Sequence, residues 1–259
     1  MTLSTRNTVL IFGLFVILII LIIYCFILFS LLSQKYPVFN VNNDLLINIG
    51  ITFFLGLFSL IGWYIIRSYF SKTTSPEMFF FSFFLVSLSF EMIRIIHYYF
   101  FLQNSPLILG ILFTRVIFFG RFFGLLCLFF SGLFSSWLDI QRIGIVVSIS
   151  ILFCFTLAFS IPIDTDLGTD FLYSPGIRNE LFLVRVCLEV FAALNYLFSS
   201  IVKKSSDYFF LALSMSAVIL GRELLLTSVM IQTAAAGGIS LLLGSVFFGR
   251  KIRDMYLWI

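Results

Sequence analysis

Long apolar stretches dominate this 259-residue chain, and the first runs from Val9 to Leu32 without a charged residue. A helix needs about 20 apolar residues to cross the hydrocarbon core of a membrane. Because lipid offers the backbone no hydrogen-bond partners, continuous apolar runs of this length predict helices and not a β-barrel. The stretch is too long for the apolar region of a signal peptide and lacks an A-x-A cleavage site, so we expect it to remain attached as the first span.

The rest of the chain repeats this pattern between short polar segments. Hydrophobic residues make up 61% of the chain and charged residues 11%, whereas soluble domains carry about 25% charged residues. We therefore predict an all-α integral membrane protein, a bundle of about eight transmembrane helices forming a single polytopic domain over residues 1–259. The spans are expected near residues 8–33, 45–66, 77–102, 106–136, 141–162, 179–202, 207–230 and 234–250. The eighth is the weakest, because Gly237 and Gly238 interrupt it.

The basic residues between the spans predict the orientation of the bundle. Lys and Arg concentrate in cytoplasmic loops, and with an even number of spans this rule places both termini in the cytoplasm. The residues then inside are Arg6, Arg67, Lys72, Arg142, Lys203, Lys204, Arg250, Lys251 and Arg253, against Lys35 and Arg178 outside. The longest external loop, Asp164 to Asp170, is acidic. Short loops and a compact chain favour a multi-pass protein of a bacterial cytoplasmic (inner) membrane.

Charged side chains inside the predicted spans are the feature that points to function. Each costs roughly 2.5 to 3.5 kcal/mol at the bilayer centre on insertion scales, so they are expected to pair with one another or with a ligand. Away from the ends of the spans there are eight of them: Glu91, Arg94, Arg115, Arg121, Arg185, Glu189, Arg222 and Glu223. Arginine cannot release its proton, so with a neutral His97 about two positive charges remain unmatched.

Helical spacing predicts which of these charges meet. Arg185 and Glu189 are four residues apart, and Glu91, Arg94 and His97 are spaced by three, so each set shares a helix face. Glu91 and Arg115 lie at similar distances from the turn between the third and fourth spans, so they could pair across that turn. Arg121 is rotated about 240° from Arg115 on the same helix and is expected to face elsewhere.

Two structural interpretations of these charges remain open. In the first, Arg94, Arg115, Arg185 and Arg222 bind an anionic or zwitterionic ligand in an outward-facing polar pocket. The remaining residues then orient these arginines or complete the ion pairs: Glu91, Glu189, Glu223, His97 and Arg121. In the second, the charges form a closed ion-pair network that fixes the register of the helices, and the surplus arginines reach water.

The motif content narrows the function classes. GxSxG and HExxH motifs are missing, and a single histidine excludes multi-histidine metal chemistry, so we expect no enzyme activity, catalytic residue, metal, cofactor or nucleic acid. The pattern G-R-F-F-G around Arg121, and Ala236, Ser240 and Gly244, favour close helix packing. We predict a sensor-like or accessory subunit that contacts the lipid bilayer and a protein partner in the membrane. The alternatives are a transporter of a small anionic solute and a structural scaffold subunit of a membrane complex.

Overall fold

The computed structural model describes residues 3–33, 43–70, 75–136, 143–168 and 170–256. Within these ranges the helices are α1 (Leu3–Ser33), α2 (Asn43–Phe70), α3 (Pro76–Ser89), α4 (Ile93–Leu102), α5 (Leu107–Ser136), α6 (Ile143–Ser160), α7 (Arg178–Lys203), α8 (Ser206–Thr227) and α9 (Ile231–Tyr256). The strands are β1 (Ile163–Leu167) and β2 (Tyr173–Pro175). The orientation argument also used Lys35, Lys72 and Arg142, which lie outside the described residues.

In the described part of the chain, eight helical segments are long and apolar enough to cross a membrane. This confirms an integral, multi-pass helical membrane protein. Helices α3 and α4 share one span, because only a 3₁₀ turn, Phe90–Met92, separates them. The eighth segment, Ile231–Tyr256, is longer than the expected 234–250.

Large apolar side chains on the outer faces of the helices are exposed. Phe26 on α1 is 70% exposed, Ile108 on α5 is 77% exposed and Ile201 on α7 is 74% exposed. Apolar surface of this extent is unfavourable in water and matches the interior of a bilayer. The surface of the bundle therefore fits contact with lipid.

Helix α5 packs against α3, α4, α6 and α7. Two glycines of α5 allow α3 and the 3₁₀ turn to approach it closely. A Cβ atom added at Gly124 would lie 2.2 Å from the Ser87 hydroxyl oxygen, and one added at Gly120 would lie 2.8 Å from the Phe90 Cβ. The close packing predicted for the glycines flanking Arg121 is confirmed. This contact fixes the position of α5 against the 3₁₀ turn.

Helices α8 and α9 form a tightly packed pair that also depends on glycine. A Cβ atom at Gly221 would lie 2.4 Å from the Leu241 backbone nitrogen, and one at Gly244 would lie 2.8 Å from the Val218 backbone nitrogen. Gly237 was one reason why the sequence predicted the eighth span only weakly. A Cβ atom added at Gly237 would lie 3.0 Å from the Gly221 carbonyl oxygen. The glycines that lower helix propensity here allow two backbones to approach.

Strands β1 and β2 form an antiparallel hairpin that the sequence analysis treated as an acidic loop. The turn is closed by a hydrogen bond from the Gly168 N–H to the Leu172 carbonyl oxygen (2.7 Å), and Phe171 adopts a positive φ of 59°. Tyr173 packs edge-on against His97, with ring centroids 4.8 Å apart. The hairpin therefore lies at the end of the bundle where α4 ends and α7 begins. We call this the hairpin end, and the end with the α7–α8 turn at Lys204 the opposite end.

Candidate anion-binding site

Glu91 is the centre of a first group of ion pairs near the hairpin end. Its Oε2 lies 2.6 Å from Arg94 Nε, and its Oε1 accepts a hydrogen bond from Arg121 Nε at 2.8 Å. Arg121 also reaches Asp170 of the hairpin turn, with 3.4 Å between Nη2 and Oδ2. Arg94 donates from Nη1 to Asn48 Oδ1 on α2 at 3.4 Å. This group therefore connects α2, α4, α5 and the hairpin.

Arg222 of α8 is the centre of a second group. Its Nη1 donates to Glu223 Oε1 at 2.7 Å and lies 3.9 Å from Glu189 Oε1 of α7. Arg185, one turn before Glu189, lies 3.3 Å from Glu223 Oε2 and 3.7 Å from Glu189 Oε1. The pair between Arg185 and Glu189, predicted from their spacing, is confirmed. The side chain of Arg222 is 2% exposed and that of Arg185 is 28% exposed, so Arg185 is the more accessible of these two arginines.

The two groups together are electrically balanced. Four arginines and four carboxylates contribute: Arg94, Arg121, Arg185 and Arg222 with Glu91, Asp170, Glu189 and Glu223. The prediction that about two positive charges remain unmatched is therefore wrong for this network. Asp170 supplies a carboxylate that the sequence analysis assigned to a loop, and Arg115 lies elsewhere.

Arg115 faces α6 instead of Glu91. Its guanidinium carbon lies 5.4 Å from the centre of the Phe159 ring, and its Nε has no hydrogen-bond partner among the described residues. The predicted pair between Glu91 and Arg115 is therefore wrong, because Glu91 is already bound by Arg94 and Arg121. The expectation that Arg121 faces away from this group is wrong for the same reason.

His97 ties α4 to the hairpin. Its Nδ1 lies 2.6 Å from the Phe171 carbonyl oxygen, and since a carbonyl oxygen only accepts, Nδ1 donates. Its Nε2 has no partner among the described residues. The geometry therefore gives His97 a role in holding the hairpin in place.

A cavity of about 690 Å³ lies beside this network, between α5, the hairpin and α7. Its polar lining includes Arg121 and Arg185 from the network, together with Asp170, Arg178 and Asn179. Arg178 donates from Nη2 to the Ser174 hydroxyl, and no carboxylate of a described residue forms an ion pair with it. The guanidinium group of Arg178 is therefore a positive charge beside the network that no carboxylate of a described residue balances.

The rest of the lining is mostly apolar and comes from α5, α7 and the hairpin, which contributes Leu167, Leu172 and Pro175. Phe118, Phe122 and Leu125 of α5 face Leu181 and Phe182 of α7. Phe182 is 58% exposed, so the cavity is open on the side where α7 meets the surroundings of the bundle.

Toward the opposite end the same two helices are in direct contact, and this contact closes the cavity. A Cβ atom at Gly132 would lie 2.7 Å from the Asn195 Cβ. The hydroxyl oxygens of Ser131 and Tyr196 are 2.6 Å apart. Helices α5 and α7 thus meet at one end and leave the cavity between them at the other.

Arg178 and Asp170 belong to the candidate site, although the sequence analysis did not select them. Both lie between predicted spans, where charge is common and was used only to predict orientation. The signal that could have identified them is their proximity in sequence to the hairpin: Asp170 follows β1, and Arg178 follows β2 at the first residue of α7. Their convergence on Arg121 and Arg185 depends on that hairpin.

A second polar cluster, at the opposite end, was also missed. Glu77 is 3% exposed, and its Oε2 accepts hydrogen bonds from the hydroxyls of Ser75 (3.0 Å) and Tyr256 (2.8 Å). The bond from Tyr256 ties the end of α9 to the start of α3. We assign this cluster a structural role.

Comparisons with protein-family models, with curated proteins and with solved structures find no match to this chain. The function is therefore argued from the geometry and charge of the site.

Proposed function

We propose that this protein binds an anionic or zwitterionic small molecule or lipid headgroup in the cavity between α5, the hairpin and α7. The proposal depends on one observation: Arg178 lines the cavity and has only the Ser174 hydroxyl as a partner among the described residues. A guanidinium group in or near a membrane is stabilised by a carboxylate or phosphate that it can bind with two parallel hydrogen bonds. Arg178 is exposed at the first residue of α7, so an anionic group that enters the cavity can reach it.

The proposed ligand contacts differ from those expected from the sequence. We assign Arg178 and Arg185 to the ligand, because both line the cavity and Arg185 is partly exposed. Arg121 forms the deep wall. Arg94 and Arg222 are 1% and 2% exposed and already bound to carboxylates, so we assign them to the supporting network.

We further propose that the hairpin end faces the outside of a bacterial cytoplasmic membrane. Nine basic residues between the spans lie on one predicted side and two on the other, and this bias sets orientation in membrane proteins. The exposed hairpin strand carries Asp164 and Asp166 and no Lys or Arg, so it does not oppose this orientation.

A sensor-like or accessory subunit fits this arrangement better than a transporter. Arg185 touches both the cavity and Glu223 of α8, so a ligand that draws Arg185 toward it changes the contacts between α7 and α8. A ligand can shift a helix arrangement only through such a difference in contacts. Transport would need a path to the opposite end, where Gly132 and Asn195 bring α5 and α7 into contact. The loops between the spans are short, so we propose that a membrane protein partner carries the output.

The balanced ion-pair network favours a second candidate, a scaffold subunit. Four arginines and four carboxylates balance one another in charge without a ligand and hold α4, α5, α7 and α8 in register. In that case Arg178 would simply reach water or lipid headgroups. The two candidates differ in whether an added ligand stabilises the protein through Arg178.

Thermal unfolding in an uncharged maltoside detergent tests the proposal. The probes are phosphoethanolamine and dioleoyl phosphatidylethanolamine, which share the phosphate and amine. A ligand that binds only the folded state raises the Tm as its concentration exceeds its Kd. We expect at least one probe to raise the Tm of the wild-type protein. Arg178→Gln should abolish this rise in Tm. Arg253→Gln changes an exposed residue at the opposite end and should keep the rise. If neither probe raises the Tm, or both variants respond as wild type does, the scaffold function is favoured instead.

A further inference from the structure

We infer that the occupant of the cavity is a membrane phospholipid that enters sideways from the bilayer. Its phosphate would contact Arg178 and Arg185, and one acyl chain would lie against Phe122 and Phe182. The inference rests on the proposed function and deepens it, because it selects the bilayer over water as the source of the ligand. Three properties of the cavity carry it: the apolar side chains beside its arginines, its exposed side and its charge pattern.

Apolar side chains flank the arginines along the whole length of the cavity. Arg178 and Asn179, at the first turn of α7, lie at the hairpin end, whereas Leu125 of α5 lies farther into the bundle. Phe118, Phe122 and Leu125 flank Arg121 and span about 10 Å of α5, at 1.5 Å per helical residue. A small water-soluble anion would cover only the arginine part of this surface and leave the apolar part uncovered. An amphiphile with a polar head and an apolar chain covers both parts.

The exposed side of the cavity faces the region where lipid chains are expected. Phe182 lines the cavity and is 58% exposed, and its neighbour Leu183, outside the cavity, is 64% exposed. Two consecutive exposed apolar residues on a membrane-spanning helix indicate a surface that faces lipid. A chain from the bilayer can therefore reach Phe182 without crossing a polar surface.

The charge pattern of the polar part suits a phospholipid head. Arg178 and Arg185 provide guanidinium groups for a phosphate. Asp170 lines the same cavity, and its side chain is 34% exposed, so it can accept a hydrogen bond from an amine or hydroxyl on the far side of that phosphate. A bare anion would gain nothing from Asp170 and would be repelled by it. A headgroup with a phosphate and a donor uses both charges.

Native mass spectrometry of the purified protein in maltoside tests the inference with three probes. Dioleoyl phosphatidylethanolamine carries both the head and the chains, dioleoylglycerol carries the chains without phosphate, and phosphoethanolamine carries the head without chains. We expect the phospholipid to bind at least about tenfold more tightly than either fragment, since each fragment lacks one half of the contacts. Equal binding of dioleoylglycerol and the phospholipid would overturn the inference, because the arginines would then contribute nothing.

Matched variants locate the binding. Phe182→Gln places a polar group on the apolar wall, whereas Leu183→Gln places the same group at the same depth outside the cavity. We expect Phe182→Gln to weaken phospholipid binding about tenfold or more and Leu183→Gln to leave it unchanged, with both proteins eluting as wild type on size exclusion. If phosphoethanolamine alone binds as tightly as the phospholipid, and the two glutamine variants behave alike, the inference fails while the proposed function stands. If neither the phospholipid nor phosphoethanolamine binds, the proposed function fails with it.

Discussion

Arg222 donates from Nη2 to the main-chain carbonyl oxygen of Arg121, 3.1 Å away, and so joins α8 to the backbone of α5. The same guanidinium binds Glu223 through Nη1. This one side chain therefore connects the ion pairs around Glu91 with those around Glu223. The two groups act as one network because a buried arginine has donors in several directions.

Arg222→Met is expected to lower the free energy of unfolding by about 3–5 kcal/mol, the range for removing one partner of a buried ion pair. Glu189 and Glu223 would then share Arg185 alone, and the Arg121 carbonyl would lose its contact with α8. Unfolding in detergent micelles, monitored by circular dichroism, measures the change. Arg253→Met is the matched control: its side chain is 48% exposed and paired with Asp254, so a change of no more than about 1 kcal/mol is expected. Equal losses in both variants would contradict a structural role for the network.

Glu91→Gln is expected to destabilise the protein far more than Arg115→Gln. Glu91 is bound to Arg94 and Arg121, so its neutralisation leaves Arg94 without a carboxylate and Arg121 with Asp170 alone, at a cost of about 3–5 kcal/mol. Arg115 contributes mainly its contact with the Phe159 ring, for which about 1 kcal/mol is typical. The same unfolding measurement compares the two variants. A larger loss for Arg115→Gln would show that Arg115, and not Arg121, supports the network.

The spans and the local ion pairs could be predicted from the sequence because each depends on residues that are close along the chain. Apolar length defines a span, and helical spacing places Glu189 beside Arg185 and Arg94 beside Glu91. Glu91 lies in the 3₁₀ turn, which has three residues per turn, so side chains three residues apart lie directly one above the other. This brings Glu91 and Arg94 closer together.

The partner of Glu91 on α5 could not be predicted in this way. Counting residues from a turn estimates depth, but it does not give the direction in which a side chain points. The 3₁₀ turn also changes the rotation of the helix at Glu91, because each residue turns about 120° there instead of 100°. For these reasons the residue count did not predict that Arg121 contacts Glu91. Asp170 and Arg178 join the site only through the hairpin, whose pairing is not visible as an apolar pattern.

Gly221→Ala is expected to destabilise the α8–α9 pair by about 1–3 kcal/mol, the usual cost of adding a methyl group to a filled space. The new Cβ would lie 2.4 Å from the Leu241 backbone nitrogen, so the two helices would have to separate. Gly249→Ala on α9 is the control, since no atom lies within 4 Å of its added Cβ. It should be neutral or stabilising by up to about 1 kcal/mol, because alanine favours helix. Unfolding midpoints in detergent measure both, and equal effects would contradict close backbone packing at Gly221.

Cysteine labelling in intact cells tests the orientation on which an outward-facing site depends. The test uses a chain whose native cysteines are replaced by alanine: Cys25, Cys127, Cys154 and Cys187. Asp166→Cys lies on the exposed β1 strand, and Lys204→Cys lies in the exposed turn between α7 and α8. A membrane-impermeant maleimide is expected to label position 166 before the cells are opened and position 204 only afterwards, because the basic turn should be cytoplasmic. The reverse pattern would place the cavity on the cytoplasmic side, and with it the leaflet from which a lipid could enter between α5 and α7.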